Sequence, residues 1–288
     1  CAVISVIAVI AYDPKQVAVL ISGRAARYEV CLKRLLEKNK YEYDLFISVN
    51  DEPCKYYDVM EESLQPWLKG LEIKSFSLPD DFENHHPETI RQSVNGKFVP
   101  QNVMSMYYND MNAFNMATKY ADDNGFEYDV YMKFRSDLIV NDMPDIDKMD
   151  EFKVYSADPP CDFECQTLDD EKVYIVCDAV AYGSRKSMRE YTDTYNFVLD
   201  INKQMGGDYR IHFESSLTQC LYYKKVPVER FAYTYKLDGN RRIFDTIWEN
   251  AGTEECGDSR INNIRGAHPP INSKDVESTI DIPAFPVS

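Results

Sequence analysis

Several segments place charged side chains where apolar sequence surrounds them, at spacings that suit a phosphorylated ligand. Residues 17–23, VAVLISG, are a continuous apolar run that closes on Ser22-Gly23-Arg24, with Arg27 three residues on. Glycine lets a backbone approach a ligand closely, a following helix offers free N–H groups, and arginine grips phosphate bidentately. The same residues also fit an ordinary strand-to-helix turn with surface arginines. Residues 43–49, YDLFISV, close on Asn50-Asp51. There a carboxylate could accept hydrogen bonds from a ribose or a base, or close an Asx turn. Arg135-Ser136-Asp137 lies between the strand-like YDVYMKFR and the apolar Leu138-Ile139-Val140. A buried Asp needs a cation, a metal or a hydrogen-bonding ligand, so the triplet is either an internal Arg135–Asp137 ion pair or a site for a metal-diphosphate. Asp178 is the one charge in YIVCDAVAYG (174–183) and is subject to the same desolvation argument. Glu214 opens a helix in HFESS (212–216), where the helix dipole favours a carboxylate and where it could also serve as a general base. His212 beside it reads as a surface histidine, and His268 is a candidate metal ligand.

These residues need strands and helices to hold them. The chain opens β-α-β: a strand over 17–23, a helix over 25–38 marked by Tyr28, Cys31, Leu32, Leu35 and Leu36, and a strand over 43–49. A third strand is expected near 72–77, and 80–100 reads as a polar loop. A long helix should follow over about 101–122, with Tyr107, Met111, Phe114, Thr118 and Ala121 as its buried stripe, stopped by Asp-Asn-Gly at 123–125. Strands are expected over 128–135, 152–156 and 173–182, with loop over 157–171. Helices are expected over about 184–204 and 211–224. The pattern predicts an α/β fold with a mixed, mostly parallel central sheet flanked by helices, and in such sheets ligands sit at the carboxyl ends of the strands. The expected organisation is an apolar segment or extra strand over 1–16, one domain over 17–265 whose halves divide at 125/126, and a Pro-containing tail over 266–288.

Composition limits the partners. The 288 residues carry 32 Lys+Arg against 48 Asp+Glu, a net charge of −16. So acidic a surface repels nucleic acid and anionic lipid. Between Asp122 and Lys172 stand sixteen acids and five bases, either a solvated loop system or the surroundings of a bound cation. The eight cysteines form no C-x-x-C and no paired zinc spacing. Tyr107, Tyr108 and Trp248 could stack on a sugar or base, although core packing is the better reading of each. Residues 1–11 are apolar but too few to span a bilayer. They fit the stump of a longer anchor as well as an extra strand. The absence of an N-x-Ser/Thr sequon leans toward a cytoplasmic protein, membrane-associated only if residues 1–11 belong to an anchor.

Taken together, SGRAAR (22–27), YDVYMKFRSDL (128–138), DAVAYGSRKSMREY (178–191) and FESSLTQCL (213–221) resemble the WavE-like group of bacterial and viral glycosyltransferases, with DAVAYGSRKSM the most specific part. The resemblance covers about residues 17–250. It implies a GT-A, Rossmann-like fold, a nucleotide-sugar donor such as a UDP- or GDP-sugar, and transfer to a hydroxyl of a glycan acceptor. Arg135-Ser136-Asp137 would replace the Asp-x-Asp motif that holds Mn²⁺ or Mg²⁺ against the diphosphate in GT-A enzymes. Here the first acid is an arginine, so Asp137 would hold the metal alone or Arg135 would supply part of its charge. On the same resemblance the nucleotide would lie near Ser22, Gly23, Arg24, Asn50 and Asp51, with Arg24 or Arg27 on the diphosphate. Arg135 would contact the donor sugar or phosphate, Asp178 and Tyr182 would shape the sugar pocket, and Glu214 would act as base. Two other classes stay open: a non-catalytic nucleotide-sugar or carbohydrate binder, and a metal-dependent phosphoesterase, for which four histidines are few. An NAD or FAD oxidoreductase lacks its glycine fingerprint.

Overall fold

The computed structural model describes residues 14–23, 36–37, 40–51, 61–62, 64–94, 100–135, 138–140, 143–158, 164–232 and 235–237. Strand β1 (Gln16–Gly23) is buried from Val17 to Ser22, as its unbroken apolar run demands of a strand covered on both faces. It pairs in parallel with β2 (Glu42–Asn50), which pairs in parallel with β3 (Leu68–Lys74). On its other side β1 pairs in parallel with β4 (Val130–Arg135). Parallel neighbours require crossovers. The path from β3 to β4 carries helix α1 (Pro87–Val94) and the long helix α2 (Pro100–Asn124).

After β4 come β5 (Leu138–Val140), β6 (Val154–Ala157), the β7 (Glu164–Gln166) and β8 (Lys172–Tyr174) hairpin, and β9 (Val180–Gly183). Helices α3 (Arg185–Thr192), α4 (Thr194–Gln204) and α5 (Phe213–Tyr223) precede β10 (Val228–Phe231) and β11 (Tyr235–Leu237), which pairs with β5. The central sheet has seven strands in the order β10-β6-β9-β4-β1-β2-β3. Only β9 runs against the rest, antiparallel to both β4 and β6. The fold is therefore a mixed α/β domain on one mostly parallel sheet flanked by helices. The boundary expected at 125/126 falls between α2 and β4, and β4 hydrogen-bonds directly to β1.

Strand alternation divides the core in two. Val17, Val19, Ile21, Leu45, Ile47, Met132 and Phe134 face one side with Tyr155 and Tyr182. Ala18, Leu20, Phe46 and Tyr131 face the other, against Ala113, Phe114, Ala117 and Ala121 of α2 and Met188 of α3.

Several expected elements shift. The polar stretch 80–100 contains α1, which starts on a proline, a residue suited to the first helical position. The helix expected over 184–204 is two, parted at Asp193. There Thr192 and Thr194 donate their hydroxyls back to the carbonyls of Met188 (2.9 Å) and Tyr191 (2.8 Å), a bonding that bends helices. The strand expected over 173–182 is interrupted between β8 and β9, and Asp178 stands in the interruption. The stripe of α2 is buried as expected except at Met111, which is partly exposed. Most of the helix expected over 25–38 and the whole tail lie outside the described residues. Within them, no helix is long and apolar enough to cross a membrane.

Candidate functional site

Toward the carboxyl ends of β1, β2 and β4 the helix-facing side of the sheet changes from apolar to polar. By alternation Ser22, Ser48, Asn50, Lys133 and Arg135 share the face of Leu20, Phe46 and Tyr131, and register sets Ser22 beside Ser48 and Arg135. Helix α2 runs back over these strands, so its first half meets them with Ser105, Asn109 and Asp110, all buried. Ser48 Oγ donates to Asn109 Oδ1 (3.0 Å). Asn50 Oδ1 accepts from Ser105 Oγ (2.8 Å) and from Asn109 Nδ2 (3.1 Å). Ser22 Oγ donates to Asp110 Oδ1.

The centre of this layer is charged. Lys133, fully buried, donates to the backbone carbonyl of Asp178 and lies 3.5 Å from Asp110 Oδ2. Burial pushes the Asp110 carboxyl up, while Lys133 and the Ser22 hydroxyl pull it down. Arg135 Nη1 donates to Asp178 Oδ2 at 3.3 Å, and the Asp178 side chain is 4 % exposed. The Arg135 amide also donates to the Ala179 carbonyl (3.0 Å), which hooks the approach to β9 onto the end of β4.

Glu214 comes from the first turn of α5. Tyr107 of α2 fixes that helix start by donating its hydroxyl to the carbonyls of Phe213 and His212. Glu214 keeps 37 % of its side chain exposed, with Oε2 3.5 Å from His212 Nδ1. Desolvation, then the Asp178 charge, pushes its carboxyl up to about 7, against the opposing pull of its own backbone amide and Arg135. Desolvation and Arg210 hold the His212 imidazole below its ordinary value. A partly exposed carboxyl titrating near neutrality is suited to taking a proton at physiological pH.

Of the residues expected at the site, Ser22, Gly23, Asn50, Asp51, Arg135, Asp178 and Glu214 lie at these strand ends or against them. Gly23 takes φ 108°, a conformation that favours glycine, at the last position of β1. Asp51 is exposed past β2, its amide donating to the Lys74 carbonyl (3.1 Å). Ser22 turns its buried hydroxyl inward to Asp110, so its side chain belongs to the scaffold. Tyr182 requires a correction. It lies on the opposite face of the sheet, stacked on Tyr155 at 4.9 Å with its hydroxyl donated to the Asp145 carbonyl (3.0 Å). Strand alternation sends it there, and it does not line the Asp178–Glu214 region.

Arg24, Arg27, Asp137 and His268 lie outside the described residues. Among the described residues no group of three or more His, Cys, Asp or Glu side chains could hold a metal ion. Of the two carboxylates near Arg135, Asp178 is already ion-paired with it. These residues thus do not assemble a donor set for Mn²⁺ or Mg²⁺. Sequence reasoning passed over Lys133, Asp110, Ser48, Ser105 and Asn109. A signal for Asp110 was present: Val103, Tyr107, Asp110, Phe114, Ala117 and Ala121 alternate by four and three, so the carboxylate occupies a core position of its helix.

No family model matches the chain, and no curated protein matches it in sequence. Among solved structures, a nucleoside-diphosphate-sugar pyrophosphorylase from Vibrio cholerae RC9 is similar at 10 % identity and a TM-score of 0.45, over 78 % of this chain and 96 % of that one.

Proposed function

We propose that the protein is a glycosyltransferase that moves a sugar from a nucleoside-diphosphate sugar to a hydroxyl of a glycan acceptor. The observation that carries this reading is spatial. Described residues from each of the four sequence segments that resemble the WavE-like glycosyltransferases are linked in space: Ser22 is joined through Asp110 to Lys133, Lys133 to Asp178, and Asp178 electrostatically to Glu214.

In this reading the ionised Glu214 takes the proton of the acceptor hydroxyl. The freed oxygen attacks the anomeric carbon, and the bond from that carbon to the diphosphate oxygen breaks with its electron pair leaving on the nucleoside diphosphate. Arg135 places fixed positive charge where that negative charge gathers, an interaction that strengthens as the transition state forms. Asp178 holds the guanidinium in place. This single displacement inverts the anomeric centre.

The test is a series of thermal melts with UDP, GDP, CDP and CMP, each with and without Mn²⁺, followed by a transfer assay with the sugar donors of whichever nucleotide binds. A nucleotide at one hundred times its Kd stabilises by about 2.7 kcal/mol, which should raise Tm by roughly 5–10 °C in a chain of this size. A shift with one nucleotide and turnover of its sugar donor supports the reading. A shift without turnover favours a binding protein, and no shift with any nucleotide removes the nucleotide-sugar donor.

A further inference from the structure

Lys133 sits fully buried in β4, a strand covered on both faces, where a methionine or leucine would pack. Removing an ammonium and a carboxylate from water costs as much as their attraction returns or more, and well-packed apolar residues of similar volume commonly serve stability at least as well. The Lys133–Asp110 pair is therefore poorly explained as a stabilising device. What an apolar pair could not do is hold a carbonyl. Lys133 Nζ grips the Asp178 carbonyl, and the next carbonyl, that of Ala179, is held by the Arg135 amide at 3.0 Å. Asp110 in turn keeps the ammonium in place, 3.5 Å from its Oδ2, while its Oδ1 is anchored by Ser22. The Tyr191 ring lies over the ammonium, 6.0 Å from Nζ to the ring centroid, and its buried hydroxyl has no hydrogen-bond partner among the described residues. That side of Lys133 is thus closed by an aromatic face.

We propose that Lys133 and Asp110 are positioning residues: the buried pair fixes the backbone at Asp178 and so keeps the Asp178 carboxylate aimed at Arg135 and beside Glu214. Two consecutive carbonyls clamped from β4 leave the irregular stretch between β8 and β9 little freedom to turn that side chain elsewhere. The inference rests on the proposed function only for what Glu214 does. The charged and titratable groups that face Glu214 are Asp178 from the approach to β9, Arg135 from β4, Tyr107 from α2, and His212 at its own helix start.

The experiment compares the wild-type chain with the double variant Asp110→Asn/Lys133→Met, which removes both charges together and strands neither. The Glu214 carboxyl is followed by ¹³C NMR as pH is varied, with Glu214→Gln identifying its signal, and transfer is assayed in parallel. With the clamp gone, the Asp178 charge leaves the side of Glu214, so the Glu214 midpoint should fall by about one pH unit. The kcat should fall by roughly 10²-fold, with the donor KM little changed. A double variant that melts like the wild type yet keeps the wild-type midpoint overturns the proposal, whatever its rate. A double variant that does not fold assigns the pair to stability and overturns it as well. If no donor is turned over by the wild type but the midpoint still moves, the positioning role stands and the glycosyl-transfer reading falls.

Discussion

Glu214 carries two consequences of one environment. Its carboxyl titrates near pH 7 because burial and Asp178 disfavour the charge, and only the ionised form accepts a proton. The rate of transfer should therefore rise with pH through about 7 and level off above it. Glu214→Gln should cut kcat by roughly 10²–10⁴-fold, abolish that rising limb, and leave donor affinity within about twofold. Steady-state kinetics across pH 5–9 check all three, and an equal loss of donor affinity and rate would remove Glu214 from the role of base. Asp178 drew attention in the sequence as the one charge inside an apolar run, and Glu214 as a carboxylate that opens a helix. Lys133 was not, since a single basic residue near a strand end usually reaches solvent. Its burial depends on Asp110, twenty-three positions earlier on another element. Tyr182 was misplaced because proximity in sequence to Asp178 says nothing about sheet faces: the chain between them is irregular up to β9, where alternation takes over.

At the scale of elements, Gly183 shows how tightly α3 sits on the end of β9. It ends β9, pairs with Val154 of β6 and Tyr131 of β4, and precedes Ser184, whose hydroxyl caps α3 by accepting from the Ser187 amide (3.2 Å). A Cβ at 183 would stand 2.3 Å from Ser187 Oγ and 3.0 Å from the Lys153 carbonyl oxygen. Ser187 could rotate away, but the β6 approach would also have to give. Gly183→Ala should destabilise by about 1–3 kcal/mol, read from denaturant unfolding, and a loss within a few tenths of a kcal/mol would show that α3 yields freely. The strands that sequence located well, β1, β2 and β4, are those buried on both faces, where unbroken apolar runs are unmistakable. Helix α1 escaped because its residues, PETIRQSV, are mostly polar and its proline reads as a loop marker. The break at Asp193 escaped because it depends on threonine hydroxyls turning back onto the helix, and periodicity does not register that.

For the whole molecule, two forces tie stability to pH with the same sign. The net charge of −16 strains the compact state by self-repulsion, and lowering the pH toward the sequence pI of about 4.7 relieves it. Glu214 acts likewise. Its carboxyl lies at about 7 in the fold against an ordinary 4.5, so the native state binds a proton over that window that the unfolded chain has released. Its contribution is fully present below pH 4.5 and is lost as pH rises through about 7. Asp110, also raised, adds in the same direction. Tm should accordingly be higher near pH 6 than at pH 8, and high salt separates the causes. Screening shortens the reach of surface repulsion from about 10 Å at 0.1 M to about 3 Å at 1 M salt. It reaches partly buried groups much less. Salt should then flatten most of the dependence in the wild type and leave a residual slope between pH 5 and 7. Glu214→Gln should remove part of that residue and raise Tm at pH 8. A melt series that is flat in salt for both proteins would mean that Glu214 titrates as an ordinary surface carboxylate. Its candidacy as a base near neutral pH would fall with that result.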